Sequence, residues 1–232
     1  MYLIMNELEK SHLSAGVGRC NISPPLGTPL MGYPDPFLQR KAESVRDPLN
    51  ATALYFERGS YRVALLSLDT TIIDNDLIEA IRRGASEQTG ICEEHIVICS
   101  IQTHSAPRTQ LVWGWGERDA EFCEGILVPG AIEAIVKAHR SPVAVRIGIG
   151  AVKSRVGVNR RAVLQDHSIG LGQHLWGAID PTMTVLRIES KTGTLANVVH
   201  YGAHPTVFDG KSRVVSRDWP GIMIDRMESL TG

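Results

Sequence analysis

Two histidines stand where predicted strands leave a sheet, and their side chains are suited to proton transfer or metal binding. His104 follows the short apolar run at residues 96–101, and His204 follows the extended stretch at residues 196–201. An imidazole can do either task near neutral pH, although a lone histidine is more often a structural residue. Because ligands of α/β proteins usually bind beyond the carboxyl ends of strands, we predict that these histidines form half of an active site.

The spacing of His200 and His204 imitates the zinc-binding pair of a helical H-E-x-x-H motif. Tyr201 occupies the glutamate position of that motif, and Gly202 and Pro205 oppose a helix. The sequence therefore argues against a zincin site, and the other histidines are interpreted as surface residues.

Motifs for nucleophilic and nucleotide chemistry are missing from the sequence. It has no G-x-S-x-G elbow and no C-x-x-C pair, so Ser105 is only a weak nucleophile candidate. The pairs Gly16-x-Gly18 and Gly170-x-Gly172 lack the strand-to-helix context of a dinucleotide site. Loop geometry is the expected explanation for both pairs.

Two further groups are candidates for substrate contact. Arg160 and its neighbour Asn159 follow a predicted strand, and a guanidinium suits a carbonyl, carboxylate or hydroxyl, the alternative being a solvated turn. Trp115 lies in the run Trp113-Gly114-Trp115-Gly116, which is typical of an aromatic loop that covers an apolar ligand. Half-buried packing explains that run at least equally well.

The predicted elements place these residues in an α/β domain with mixed β-sheets and flanking helices. A strand hairpin, a helix and a further strand indicate a parallel pair with a helical crossover. The predicted order is strands at 51–57 and 61–68, a helix at 74–88, a strand at 96–101, a helix at 119–139, one or two strands within 143–158, a strand hairpin at 183–189 and 195–201, and a helix at 219–230 with Asp218 as N-cap.

Composition limits the class of partner and the expected location. The 232 residues carry a formal net charge of −1, so binding of nucleic acid or of an anionic membrane would need local evidence. No run approaches the roughly 20 apolar residues of a membrane span. We predict a polar leader at residues 1–14 and one domain at residues 15–232. The lack of an apolar signal core and the scattered cysteines predict a cytoplasmic location.

Short motifs spread along almost the whole chain share their order and spacing with one protein family. They are Ala15-Gly16-Val17-Gly18-Arg19 with residues 22–33, Arg46-Asp47-Pro48-Leu49, Ser67-Leu68-Asp69, Thr103-His104-Ser105-Ala106-Pro107, Asn159-Arg160, Ala203-His204-Pro205-Thr206 and Ser216-Arg217-Asp218-Trp219-Pro220-Gly221. Together they resemble the neutral/alkaline non-lysosomal ceramidase family, and so many ordered matches are far more specific than one motif.

The resemblance implies a zinc amidase that hydrolyses the N-acyl bond of ceramide, with the metal held by two histidines, a glutamate and a tyrosine. It makes His204 a Zn²⁺ ligand, places Arg160 near the substrate, and gives His104 a role in proton transfer or oxyanion contact. Zinc would lower the pKa of its bound water to roughly 7, so that hydroxide attacks the amide at neutral pH. The implied partner is a small-molecule amide or lipid-like substrate.

Two departures from the family pattern bear on catalysis. The family's His-Thr-His-Ser-Gly-Pro begins here with Gln102, which offers a metal a neutral amide oxygen instead of an imidazole. Family domains also continue to a Gly-Asp loop and to the glutamate and tyrosine ligands, which are not among these 232 residues. The expectation is therefore an incomplete ceramidase-like catalytic domain.

Three functions stay open on the sequence. The first is a zinc-dependent, ceramidase-like hydrolase of an N-acyl amide that needs further sequence to be complete. The second is a catalytically silent ligand-binding or interaction domain, which the loss of the first histidine to Gln102 favours. The third is a hydrolase of smaller polar amides or esters, since the lack of a secretion signal fits a membrane lipid poorly.

Overall fold

A computed structural model describes residues 12–34 and 40–231 and shows twelve strands and three long helices within them. The strands are β1 (Ser14–Asn21), β2 (Ser44–Val45), β3 (Asn50–Arg58), β4 (Tyr61–Leu68), β5 (Ile96–Ser100), β6 (Val143–Ala144), β7 (Arg146–Lys153), β8 (Asn159–Val163), β9 (Ile169–His174), β10 (Thr182–Ser190), β11 (Gly193–His200) and β12 (Val214–Val215). The helices are α1 (Asn75–Thr89), α2, which runs through Ala120–Phe122, Cys123–Leu127 and Val128–Arg140, and α3 (Asp218–Thr231).

The α/β class with mixed sheets that the sequence predicts is confirmed. One sheet has the strand order β5-β4-β3-β1-β6, in which β4 and β5 run parallel and the other neighbours antiparallel. Helix α1 connects β4 to β5, so the predicted crossover is present. A second, antiparallel sheet has the order β11-β10-β7, while β8 pairs with β9 and β2 with β12.

Alternating side chains on β3 divide the core into two layers. Tyr55 belongs to the main cluster, where it joins Ile81 of α1 and Ile135 of α2. Leu54 belongs to a second cluster with Ile188 of β10. Because successive strand residues point to opposite faces, the five-stranded sheet lies between the helices on one side and the second sheet on the other.

Helix α2 forms where the sequence predicts it, but its stretch Cys123–Leu127 is π-helical. Asp119 caps the first turn, since its Oδ1 accepts a hydrogen bond from the Phe122 N–H at 2.9 Å. Pro129 follows the wider turn, lacks an N–H and would clash with the carbonyl four residues earlier in a regular helix. The π-helical stretch lets the helix continue past this proline.

Gly16 and Gly18 lie in strand β1, so the loop geometry expected for this pair is wrong. A Cβ atom on Gly16 would lie 2.0 Å from the backbone oxygen of Ala138, and one on Gly18 would lie 2.0 Å from that of Ala134. The missing side chains let α2 pack with its backbone directly against β1.

The hairpin formed by β8 and β9 was not predicted from the sequence. Gly170 and Gly172 lie in β9, so the loop expected there is also wrong. A Cβ atom on Gly172 would lie 2.8 Å from the Cβ of Ala162 on the facing strand, so glycine relieves crowding across the hairpin. The strands expected within residues 143–158 are present as β6 and β7, which ends at Lys153.

Most of the predicted leader, residues 1–14, lies outside the described residues, and β1 begins at Ser14. In residues 12–34 and 40–231, no helix combines the length and the apolar character needed to cross a bilayer.

Replacing Gly16 with alanine is expected to destabilise the protein, because the new methyl group would overlap the Ala138 carbonyl and push α2 away from β1. The free energy of unfolding, measured by urea denaturation, should fall by about 1–3 kcal/mol. Gly150→Ala is the matched control, since this strand glycine has nothing within 4 Å of an added Cβ. Equal losses in both variants would contradict the packing argument.

Candidate active site

His104 lies in a buried loop that leaves the sheet after β5. The preceding Gln102 has a φ of +68°, and its N–H donates to the Thr70 carbonyl at 3.0 Å. The Thr71 hydroxyl donates to the Thr103 carbonyl at 2.6 Å. This backbone path leaves Gln102 exposed and turns His104 inward, where only 8% of its surface is accessible.

The segment around β12 holds this loop from one side. Thr103 Oγ1 donates to the Ser216 carbonyl at 2.7 Å, and the Ser216 N–H donates to the Ser105 carbonyl at 3.0 Å. Asp47 accepts hydrogen bonds from Ser216 Oγ at 2.7 Å and from the Arg217 N–H at 2.8 Å. Asp47 also forms a salt bridge of 3.1 Å with Arg217 Nε. The residues on both sides of His104 are thereby fixed.

Arg40 and Gly32 hold His104 from the other side, and sequence reasoning assigned neither a role. Arg40 Nη2 donates to the carbonyls of Met31 at 2.7 Å and His104 at 2.8 Å. Gly32 has a φ of +118°, and a Cβ atom there would lie 2.6 Å from the His104 Cβ. The Tyr33 ring packs edge-on against the imidazole with centroids 5.1 Å apart. Only the match of residues 22–33 to the family could have drawn attention to Gly32 and Tyr33.

His204 is placed by the loop after β11, which Asp218 ties to the start of α3. Asp218 Oδ2 accepts hydrogen bonds from the N–H groups of Val207 at 2.9 Å and Phe208 at 3.2 Å. Its Oδ1 accepts one from the Trp219 N–H at 2.7 Å. Asp218, which the sequence predicts as the N-cap of this helix, is instead its first residue, and it orders the loop that carries His204.

Arg160, His204 and His104 form a continuous chain of polar contacts. Arg160 Nη2 lies 2.6 Å from His204 Nδ1, and His204 Nε2 lies 2.8 Å from His104 Nε2. A guanidinium can only donate, so His204 Nδ1 accepts and the neutral ring carries its proton on Nε2. This proton is donated to His104 Nε2, which leaves the His104 proton on Nδ1. That atom is buried and has no hydrogen-bond partner of acceptable geometry among the described residues.

The surroundings of both imidazoles keep them neutral. Burial, followed by the effect of His204 and nearby guanidiniums, lowers the pKa of His104 from 6.5 to about 4. The Gly32 backbone opposes this shift in the pKa, although it does not meet hydrogen-bond geometry with the ring. Burial and then the charge of Arg160 lower the pKa of His204. Neutral rings are the state that the hydrogen-bond pattern requires.

The two remaining substrate-binding candidates differ in their surroundings. The Trp115 ring lies near His104, with centroids 6.2 Å apart. Asn159 Oδ1 accepts a hydrogen bond from the Arg161 N–H at 2.9 Å, and its Nδ2 donates to the Ala178 carbonyl at 2.9 Å. Both polar atoms of Asn159 thus hold the β8–β9 hairpin, and its contact with substrate stays a prediction.

Ser105 and Cys123 lie in surroundings that do not activate a nucleophile. Ser105 is fully buried, and no described residue forms a hydrogen bond with its Oγ. Burial raises the pKa of the Cys123 thiol to about 12, which suppresses the reactive thiolate. The histidine chain is the better candidate site.

The family model for neutral/alkaline non-lysosomal ceramidase, N-terminal, matches residues 13–231. The chain belongs to this family. No curated protein is similar enough in sequence to be matched.

Solved ceramidase structures share the fold of this family member. Neutral ceramidase from Pseudomonas aeruginosa is 17% identical, with a TM-score of 0.75 over 91% of this chain and 35% of that chain. A ceramidase complexed with C2 is 20% identical, with a TM-score of 0.74 over 91% of this chain and 34% of that chain. The present chain therefore spans about one third of the length of these ceramidases.

The described residues alone do not form a site for the zinc ion that membership of the ceramidase family implies. No cluster of three His, Cys, Asp or Glu side chains in the described part of the chain could hold a metal ion. Gln102, which replaces the first family histidine, is exposed. The contact with Arg160 places the His204 proton on Nε2, the nitrogen that faces His104, where a metal would need a lone pair. The ligand roles of His204 and Gln102 remain predictions.

Replacing Arg160 with methionine is expected to change the protonation pattern of His204. In metal-free protein at pH 7, long-range ¹H–¹⁵N NMR should show the His204 proton on Nε2 and the His104 proton on Nδ1. The variant should populate the Nδ1-protonated form of His204 and raise its pKa, because the guanidinium that lowers it is gone. Arg161→Met is the control, since Arg161 is an exposed neighbour on the same strand. An unchanged His204 pattern in Arg160→Met would contradict the assignment.

Lowering the pH from about 6.5 to about 4 should destabilise the fold through His104. In this range the histidine of the unfolded chain, with a pKa of about 6.5, is protonated, whereas burial keeps the folded His104, with a pKa of about 4, neutral. Asp69 acts oppositely: burial raises its pKa to about 7, so its contribution to stability is lost as the pH rises through about 7. Urea denaturation of the native chain and His104→Gln at each pH separates the two effects. The variant should lose less stability on acidification, and parallel profiles would refute the claim.

Proposed function

We propose that this chain supplies the acyl-amide recognition and proton-transfer part of a ceramidase-like hydrolase. The observation that carries the proposal is the contact chain Arg160–His204–His104. It stands in a domain of the neutral/alkaline non-lysosomal ceramidase family, at the residues that carry the family motifs.

Hydrolysis of an amide needs a group that stabilises negative charge on the carbonyl oxygen. Arg160 is exposed, and one of its N–H groups contacts His204. A guanidinium has five donors, so others can reach the oxygen as water adds to the carbonyl carbon. The contact with His204 orients the guanidinium before substrate arrives.

The same reaction needs a group that moves one proton from the attacking water to the leaving amine nitrogen. For this transfer the contact between the two Nε2 atoms has to open, after which His104 Nε2 offers a lone pair to the attacking water and His204 Nε2 offers an N–H to the leaving nitrogen. The C–N bond then breaks to give a carboxylic acid and a free amine. Trp115 beside His104 supplies apolar surface for the acyl chain, which favours a lipid-like N-acyl amide over a small polar one.

Zinc remains a proposal for the working enzyme. The described residues supply imidazole nitrogens but no three-residue metal cluster, so they do not account for the activation of water. When bound, zinc would supply that activation.

A catalytically silent domain is the second candidate function, and Gln102 favours it. An exposed glutamine stands where the family has a metal-binding histidine. Such a domain would bind an amide lipid through Arg160 and Trp115 without cleaving it.

Turnover of a short-chain ceramide separates these functions, using this chain and any longer polypeptide that its gene encodes. We expect release of the fatty acid, reduced at least about 100-fold in His104→Gln and His204→Ala, because general acid–base groups contribute 10²–10⁴-fold. His95→Ala, a change at an exposed histidine, should leave turnover unchanged. Binding without turnover would establish the silent domain instead, and neither binding nor turnover would overturn both functions.

The zinc content of the same preparations tests whether the protein binds this metal. A stoichiometric amount that disappears in His204→Ala and increases in Gln102→His would support the predicted ligands. Full turnover by protein stripped of metal would show that no zinc is needed.

A further inference from the structure

The hydroxyl group of Tyr201 joins two loops of the candidate site. It donates a hydrogen bond to the Ser154 carbonyl at 3.1 Å and accepts one from the Gly157 N–H at 3.4 Å. Both partners lie in the connecting loop, residues 154–158, which links β7 to β8. This loop leads directly into the start of β8 and so into Arg160. One side-chain oxygen of the loop after β11 therefore binds the segment that carries the guanidinium.

The ring of Tyr201 is held by the start of α3. It packs edge-on against the Trp219 ring, with centroids 6.0 Å apart. Trp219 Nε1 also donates a hydrogen bond to the Ala203 carbonyl at 3.2 Å, and Ala203 directly precedes His204. Tyr201 and His204 are thereby tied to the same helix. The position of the hydroxyl relative to the imidazole is fixed before Arg160 is considered.

Close packing sets the separation of the two loops. A Cβ atom on Gly157 would lie 3.1 Å from the Ala203 Cβ and 3.7 Å from the Tyr201 oxygen. Because Gly157 has no side chain, its backbone approaches the His204 loop closely enough for the N–H to reach the hydroxyl. At the other end of the connecting loop, the Ser154 N–H donates to the Pro181 carbonyl at 2.7 Å, next to β10.

The contact between Arg160 and His204 depends on where the connecting loop lies. Arg160 is exposed, and a long exposed side chain loses rotamer freedom when one contact holds it. Such a contact forms readily only where the backbone already places the guanidinium within reach of its partner. Its Nη2 lies 2.6 Å from His204 Nδ1, so a displacement of β8 by about 1 Å would take the pair beyond hydrogen-bond distance.

A purely structural role is the alternative for Tyr201. Its ring contact with Trp219 accounts for the half-buried ring but not for the partners of the hydroxyl, which lie in the connecting loop. A structural role predicts that loss of the hydroxyl lowers stability and leaves the contact between Arg160 and His204 unchanged. A positioning role predicts that this contact weakens.

We propose that the Tyr201 hydroxyl is a positioning group, which sets the distance between Arg160 and His204 and thereby keeps the His204 proton on Nε2. This role is a property of the folded chain. Its effect on turnover rests on the proposed function, because Arg160 must then contact the substrate oxygen.

Tyr201→Phe tests this role, because phenylalanine keeps the ring and removes only the hydroxyl. Long-range ¹H–¹⁵N NMR of the metal-free full chain at pH 7 measures the ratio of Nε2-protonated to Nδ1-protonated His204. The ratio should fall about two- to tenfold, the range expected for the net contribution of a hydrogen bond. The His204 signals should move towards those of Arg160→Met. Tyr61→Phe is the matched control, since Tyr61 is an exposed tyrosine on β4.

Gly157→Ala perturbs the same separation from the other loop. The added methyl group would crowd the Ala203 side chain, so the His204 signals should shift in the same direction as in Tyr201→Phe. Circular dichroism establishes that each variant is folded. Native His204 signals in folded Tyr201→Phe, or in Gly157→Ala if Tyr201→Phe does not fold, would overturn the positioning role. So would an equal shift in Tyr61→Phe.

Ceramide turnover distinguishes the positioning role from the proposed function. Arg160 would act on charge that develops in the transition state, so misplacing it should lower kcat by at least about twofold, with a smaller change in KM. Absence of turnover in the native chain would count against the proposed function alone. A shift of the His204 signals with unchanged kcat would support the positioning role and count against the proposed contact of Arg160 with substrate.

Discussion

The carboxylate of Asp47 is the constraint on which the site depends. It is largely buried and accepts hydrogen bonds from Ser216 Oγ and from the N–H and Nε of Arg217. Ser216 then binds the backbone on both sides of His104 through Thr103 and Ser105. Hydrogen bonds to an ionised acceptor are roughly twice as strong as neutral ones, so one carboxylate can hold two distant segments together.

Positive charge surrounds the histidines and decides which chemistry they favour. Arg40 binds the His104 carbonyl, and Arg160 contacts His204. In the described residues, no carboxylate forms a hydrogen bond or salt bridge with either imidazole. Such surroundings favour neutral rings and attract a substrate oxygen, whereas a dication would be repelled unless further negative ligands were present. Burial and, after it, the neighbouring cationic groups lower the pKa of both histidines, and the same positive charge disfavours zinc.

Two site residues, Gln102 and Asp218, lie in a left-handed backbone conformation that residues other than glycine adopt infrequently. Gln102 and Asp218 both have positive φ, at +68° and +59°. Left-handed backbone is uncommon for residues other than glycine and persists where the surrounding structure holds it. At Asp218 the three N–H groups bound to the carboxylate supply that support. At Gln102 the turn directs His104 inward and leaves the glutamine side chain in solvent.

The sequence by itself determined the α/β class, the crossover between β4 and β5, and the candidates His104, Arg160 and His204. Periodicity and strand exits are local properties, and the ordered motifs are specific to one family. The sequence did not predict strand β1, because a pair of closely spaced glycines is more typical of a loop. Only the packing of α2 against β1 shows why glycine is needed at both positions.

Only the tertiary structure decided which atoms of the site meet. The contacts of Arg160 with His204, of His204 with His104, and of Arg40 with the His104 carbonyl join residues far apart in sequence. No local pattern encodes such partners. They follow from the packing of the sheets and loops, and with them follow the tautomers and the pKa values of the histidines.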